Sequence, residues 1–198
     1  TAYSIDMTDH GSAAASSLMN ALRATYDASI AVGYSPLVST SIYCGEYSKQ
    51  QILWVMAGNY AVSQGEYTGA ELRQMMEWLV NVKDNGANPI RHRNYMPVTS
   101  GMEYKVTEYE QGKFRLEELT INGAPLDDTA TYTVFVAGTD VWIENEVYCN
   151  CPMPENLKAK RTEYAIEGAE SRSCLKDSLA VSKQFPAPSE YLTIVQGE

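Results

Sequence analysis

The chain has 198 residues, 44% of them hydrophobic and 20% charged, which is ordinary for a globular protein and long enough to fill a core without a disulfide or metal staple. A formal charge of -10 and the absence of any Lys/Arg block exclude polynucleotide binding that tracks a phosphate backbone, while a local cation can still hold a small phosphorylated ligand. No apolar run approaches the roughly 18 residues of a membrane span, and no basic-then-apolar leader opens the chain.

The sequence starts at Thr1 instead of Met, so a processed protein or an excised fragment is expected. The first helix is expected over 12–26, where Ala14, Leu18, Ala21 and Leu22 recur at helical spacing behind the cap Ser12. DASIAVGYSP then reads as a short buried strand closed by Gly33 and Pro36, followed by a loop. SKQQILWVMAG predicts a short helix capped by Ser48 and stopped at Gly58, with Ile52, Leu53, Val55 and Met56 inward. Residues 60–67 alternate as a strand.

The next helix carries the strongest local pattern in the chain. Thr68 caps it, Glu71 completes a capping box, and Leu72, Met75, Met76, Leu79 and Val82 form its apolar stripe up to Asn85-Gly86. From Val98 the period drops to two. MEYKVTEY and FRLEELTI form a hairpin, Asn122-Gly123 turns the chain again, and TYTVFVAG makes a strand whose unbroken Val134, Phe135 and Val136 imply cover on both faces. A helix is expected over the middle and later part of TEYAIEGAESRSCLKDSLAVSKQF, and SEYLTIVQ suits an edge strand. No repeat or linker divides the chain, so residues 1–198 are read as one α+β domain: a mixed central β-sheet flanked by helices.

Candidate chemistry is sparse. Two histidines are too few for a dinuclear metal centre, and DMTDHG around His10 reads as a solvated segment. His92 lies between Arg91 and Arg93, an arrangement that would depress its pKa if it acted as a base on a phosphoester, but one more typical of an exposed loop. Cys149-x-Cys151 lacks a second ligand pair for zinc. If the cysteines are oxidised, bridges from that pair to Cys44 and Cys174 suit disulfide geometry better than a bond within the pair. The carboxylate pairs Glu117-Glu118 and Asp127-Asp128, and Glu144 with Glu146, read as solvated turn or outward-facing residues.

Thr68-Gly69-Ala70-Glu71-Leu72, Ser100-Gly101, Asn122-Gly123-Ala124-Pro125-Leu126 and Tyr132-Thr133-Val134 occur in an order that resembles the C-terminal domain of 5′-nucleotidases and UDP-sugar hydrolases. The resemblance is strongest over 12–145, and 146–198 is a divergent tail with a C-terminal helix. It implies a nucleotide- or nucleoside-recognition domain that works with an upstream metallophosphatase domain. No cofactor is then expected in this chain, divalent metals belong to that other domain, and the isolated chain should be inactive. It also implies an extracellular or cell-envelope location and a role in nucleotide catabolism.

The family's binding residues carry over unevenly. Its glycine-rich segment ending in Arg should follow the first strand, where this chain has GYSPLVSTSI and no Arg. Its Pro-Phe-Gly-Asn segment corresponds to Met56-Ala57-Gly58-Asn59, keeping the Asn and losing the stacking ring. Its second stacking Phe falls on Thr139, and an Asp falls on Asn145. The substrate-binding residues implied are therefore Asn59, Gly101, Trp142 and Asn145, with Trp142 or Tyr60 as the available replacement ring. Loss of both rings equally suits a non-catalytic relative that binds another small ligand or a cell-surface component.

Overall fold

The computed structural model describes residues 3–34, 38–56, 58–81, 96–111, 113–138 and 153–197. The element order is α1 (Ala13–Thr25), β1 (Ile30–Tyr34), α2 (Lys49–Val55), β2 (Ala61–Thr68), α3 (Gly69–Asn81), β3 (Pro97–Ser100), β4 (Glu103–Glu110), β5 (Lys113–Ile121), β6 (Ala124–Pro125), β7 (Thr131–Ala137), α4 (Glu155–Glu163), β8 (Ala165–Glu170), α5 (Ser171–Ser182) and β9 (Leu192–Gln196). The strands form two mixed sheets, ordered β3-β1-β7-β2-β8 and β6-β5-β4-β9.

The first three helices start at the caps read from the sequence. Ser12 Oγ accepts from the Ala15 amide at 3.3 Å to open α1. Ser48 and Gln51 exchange bonds to open α2, and Thr68 and Glu71 do the same for α3. The stripe of α3 is buried as expected at Leu72, Met75, Met76 and Leu79, while Val82 and Asn85-Gly86 lie outside the described residues. Val55 at the end of α2 and its cap residue Met56 are buried, but Ile52 and Leu53 are only partly covered. This helix ends at Val55, short of Gly58.

Two inner strands of the five-stranded sheet are covered on both faces, so their consecutive residues are buried: Ile30, Ala31 and Val32 in β1, and Val134 to Ala137 in β7. Helix α1 packs on β1, β3 and α5, and α3 lies against β2, β3 and the second sheet's β5. In the second sheet, the β4–β5 hairpin is antiparallel and β9 adds to its edge in parallel. Asn122 and Gly123, both with positive φ, turn β5 into β6.

The tail departs most from expectation. Residues 155–163 form α4, and 165–170, expected to lead into a helix, form β8 beside β2. Cys174 is a free, buried thiol. The Tyr26 hydroxyl donates to its Sγ at 2.8 Å, and burial pushes this thiol's pKa up. Cys149 and Cys151 lie outside the described residues. No helix among the described residues is long and apolar enough to cross a membrane.

Candidate ligand-binding site

The register of the five-stranded sheet gathers several chain ends on one side. β1 and β7 run parallel, with Val32 opposite Val136, so both finish there. β2 starts there, with Val62 opposite Ala137, and β3 starts there, with Pro97 opposite Tyr34. β8 ends there, with Glu170 opposite Ala61. The carboxyl ends of adjacent parallel strands, where successive connections diverge, are the usual place for a ligand crevice in an open sheet.

Asn59 stands at this end, immediately before β2. Its Nδ2 donates to the Glu170 carboxylate, and its Oδ1 accepts from the Arg172 amide at 3.3 Å. Beside it, the Ser171 amide donates to the Tyr60 carbonyl at 2.9 Å, and the Tyr60 amide donates to Ser171 Oγ at 3.0 Å. Arg172 Nη2 donates to the Met56 carbonyl at 2.9 Å. Both ends of the Asn59 amide therefore staple the entry of β2 to the start of α5. The Glu170 carboxylate already stands at that helix's positive end.

Gly101 lies at the other end of the sheet. It follows Ser100, which pairs with Ala31, so the length of β1, about 13 Å, separates it from the Asn59 side. Its φ is +79°, and a Cβ there would come within 2.4 Å of the Ser29 carbonyl. A close turn over α1 and β1 accounts for this glycine, and the fold does not bring it together with Asn59. Trp142 and Asn145 lie outside the described residues, as do Arg91, His92 and Arg93. Tyr60, considered as a replacement ring, is only 4% exposed and offers no face to a ligand.

Of the acidic pairs singled out in the sequence, Glu144 and Glu146 lie outside the described residues and the others have structural partners. Asp128 pairs with Arg73 at 2.8 Å, Glu118 with Lys105 at 3.0 Å and Glu117 with Arg115 at 2.8 Å. Asp127 accepts from the Thr129 amide and hydroxyl, and these bonds hold its carboxyl below the usual range. His10 is exposed, 4.0 Å from Glu190. Among the described residues, no three His, Cys, Asp or Glu side chains converge to hold a metal. Arg172 was not singled out by the sequence, because it becomes a neighbour of Asn59 only through the pairing of β2 with β8.

Residues 5–139 match the family described as 5′-nucleotidase, C-terminal domain. The chain belongs to that family. Three solved structures share the fold. A 5′-nucleotidase precursor from Thermus thermophilus is 16% identical with a TM-score of 0.70, the match covering 100% of this chain and 39% of that one. A Haemophilus influenzae NAD nucleotidase is 12% identical with a TM-score of 0.67, covering 96% and 34%. A Thermus thermophilus sulfate thiohydrolase is 16% identical with a TM-score of 0.62, covering 91% and 31%. The chain thus spans between 31% and 39% of the length of these relatives. No curated protein matches it at the sequence level.

As a 5′-nucleotidase C-terminal domain, the chain shows what its shared motifs do. Thr68 and Glu71 cap α3, and a Cβ on Gly69 would fall 2.1 Å from the Asp127 carbonyl. Asn122-Gly123 makes the β5–β6 turn, and the Leu126 amide then donates to Leu119 at 2.9 Å. These motifs build the fold.

Proposed function

We propose that this domain recognises a nucleotide or nucleoside for a 5′-nucleotidase-like phosphoester hydrolase, with metal ions and the hydrolytic step supplied by a separate metallophosphatase domain. The observation that carries this reading is the gathering of the β1, β7, β2, β3 and β8 ends at one end of the sheet in a chain of this family. Arg172, anchored there beside Asn59, supplies a cation for a phosphate. An exported protein of nucleotide catabolism, outside the cell or in its envelope, is the setting this role suits, and cell fractionation tests it.

Calorimetry with adenosine, AMP and UDP-glucose tests recognition. Binding of at least one is expected, with AMP favoured over adenosine and that preference lost in Arg172→Ala. No heat from any of the three at millimolar concentration refutes the reading. With divalent metals added, the isolated chain should show no phosphatase turnover. Turnover abolished by His92→Ala would instead make it a hydrolase in its own right.

One observation favours a second reading, a non-catalytic relative with a different ligand. Both polar ends of the Asn59 side chain are occupied within the protein. Under that reading Asn59→Ala changes stability without changing nucleotide affinity.

A further inference from the structure

The C-terminal end of α5 and the loop before α2 enclose a groove of about 690 Å³, within the roughly 300–1,000 Å³ of small-ligand sites. It is separate from the Asn59 end of the sheet: from Arg172 to Lys183, α5 and its cap extend roughly 16 Å. Four aromatic rings line it, those of Tyr3, Tyr43, Tyr47 and Phe185. Tyr47 and Phe185 meet edge to face at 5.5 Å, and the Tyr47 hydroxyl accepts from the Tyr43 amide at 2.6 Å. These contacts set the wall without any ligand. Tyr43 remains 62% exposed, above a floor that includes Ile42 and Leu179 at 3% and 6%.

The rim selects the class of ligand. Glu46, Lys183 and Gln184 all border the groove and all are exposed. An anion there meets the Glu46 carboxylate, and a cation meets the Lys183 ammonium. A neutral polyhydroxylated ring suits both, because its hydroxyls donate to Glu46 and accept from Lys183, while Gln184 does either. Its C–H face matches the aromatic wall. Lys183 is set at the rim by its backbone, the left-handed cap residue of α5 with φ 60°.

We propose that this groove is a binding site for a neutral saccharide, whose C–H face packs on the Tyr43 and Phe185 rings and whose hydroxyls bond Glu46, Lys183 and Gln184. It is independent of the nucleotide reading, and AMP should not compete with the sugar. The test is saturation-transfer NMR on the whole chain with maltose, cellobiose and N,N′-diacetylchitobiose, alongside choline and acetate as charged probes. At least one disaccharide should bind with millimolar affinity. Tyr43→Ala and Phe185→Ala should each weaken it about tenfold, the equivalent of about 1.4 kcal/mol. Tyr43→Phe should retain it, and Arg172→Ala should leave it unchanged. Tyr43 is exposed enough for its alanine variant to fold, which circular dichroism checks. The proposal fails if none of the three disaccharides gives a signal, if the signal survives Tyr43→Ala, or if choline or acetate binds more tightly than every disaccharide.

Discussion

At the scale of single residues, tyrosine chemistry and one ion pair do much of the internal wiring. The excess of 14 Tyr over 3 Phe predicts rings with a hydrogen-bonded end. The Tyr104 hydroxyl donates to the Pro97 carbonyl at 2.7 Å, and that of Tyr191 accepts from the Ser12 amide at 2.9 Å. Around Tyr67, whose pKa is raised to about 12 by burial, Lys160 sits 5.3 Å from the ring centroid and 2.6 Å from Glu71. Burial opposes ionisation of Glu71, yet hydrogen bonds from Lys160 and Thr68 outweigh it and hold the pKa below 4.5. A lowered folded pKa stabilises the protein above the unfolded value, and that contribution is lost as pH falls through the folded one. Glu71→Gln should therefore flatten the acid limb of stability against pH, read from urea midpoints between pH 6 and pH 2. Gly101→Ala places a Cβ against the Ser29 carbonyl at a positive φ. It should cost about 2 kcal/mol or more in urea unfolding, since neither strain nor clash can relax into open space.

At the scale of elements, the tail is what locks the fold together. Ser171 joins α5 to β2 through both groups of Tyr60. Removing its hydroxyl in Ser171→Ala takes away the bond that the buried Tyr60 amide donates to it and should cost about 1–3 kcal/mol. Faster hydrogen exchange at Tyr60 than at α3 amides would locate the effect. On α1, Ser16 donates to Ser189 and Ser17 to Pro186, at 2.8 and 2.6 Å, so the proline-containing stretch before β9 is strapped along that helix. Ser17→Ala should cost about 1 kcal/mol and loosen the strap while leaving α1 intact, as limited proteolysis after Lys183 would register.

The sequence made these elements unequally visible. Helices α1 and α3 have long apolar stripes and capping residues, so periodicity finds them. Helix α4 buries only Leu157, and a helix without a stripe gives no period. Strand β8 is mostly exposed, contains Gly168 at positive φ and is held by its pairing with β2, so its own residues do not announce a strand. The sequence named candidate site residues without their spatial relation. Asn59 stands at the end of the sheet where the strand ends gather and Gly101 at the other, a separation set by the strand register and not by anything near either residue in the chain.

At the scale of the whole molecule, α3 joins the two sheets by packing between β2 and β5. Leu72, fully buried on that helix, tests the coupling. Leu72→Ala should cost about 2–5 kcal/mol, and near- and far-ultraviolet circular dichroism should still report one coincident transition. Two separate transitions would show that the sheets unfold independently.

The sequence by itself determined helices α1 and α3, the capping boxes, the Asn122-Gly123 turn and the family, because each rests on short motifs whose residues lie close together in the chain. Only the tertiary structure decided that the strands divide between two sheets, that β1 and β7 run side by side, and that Arg172 reaches Asn59 across 113 positions. It also revealed the groove between Tyr43 and Phe185. Those features depend on contacts between distant segments, whose energies come from mutual burial and backbone pairing and leave no periodic trace in either segment alone.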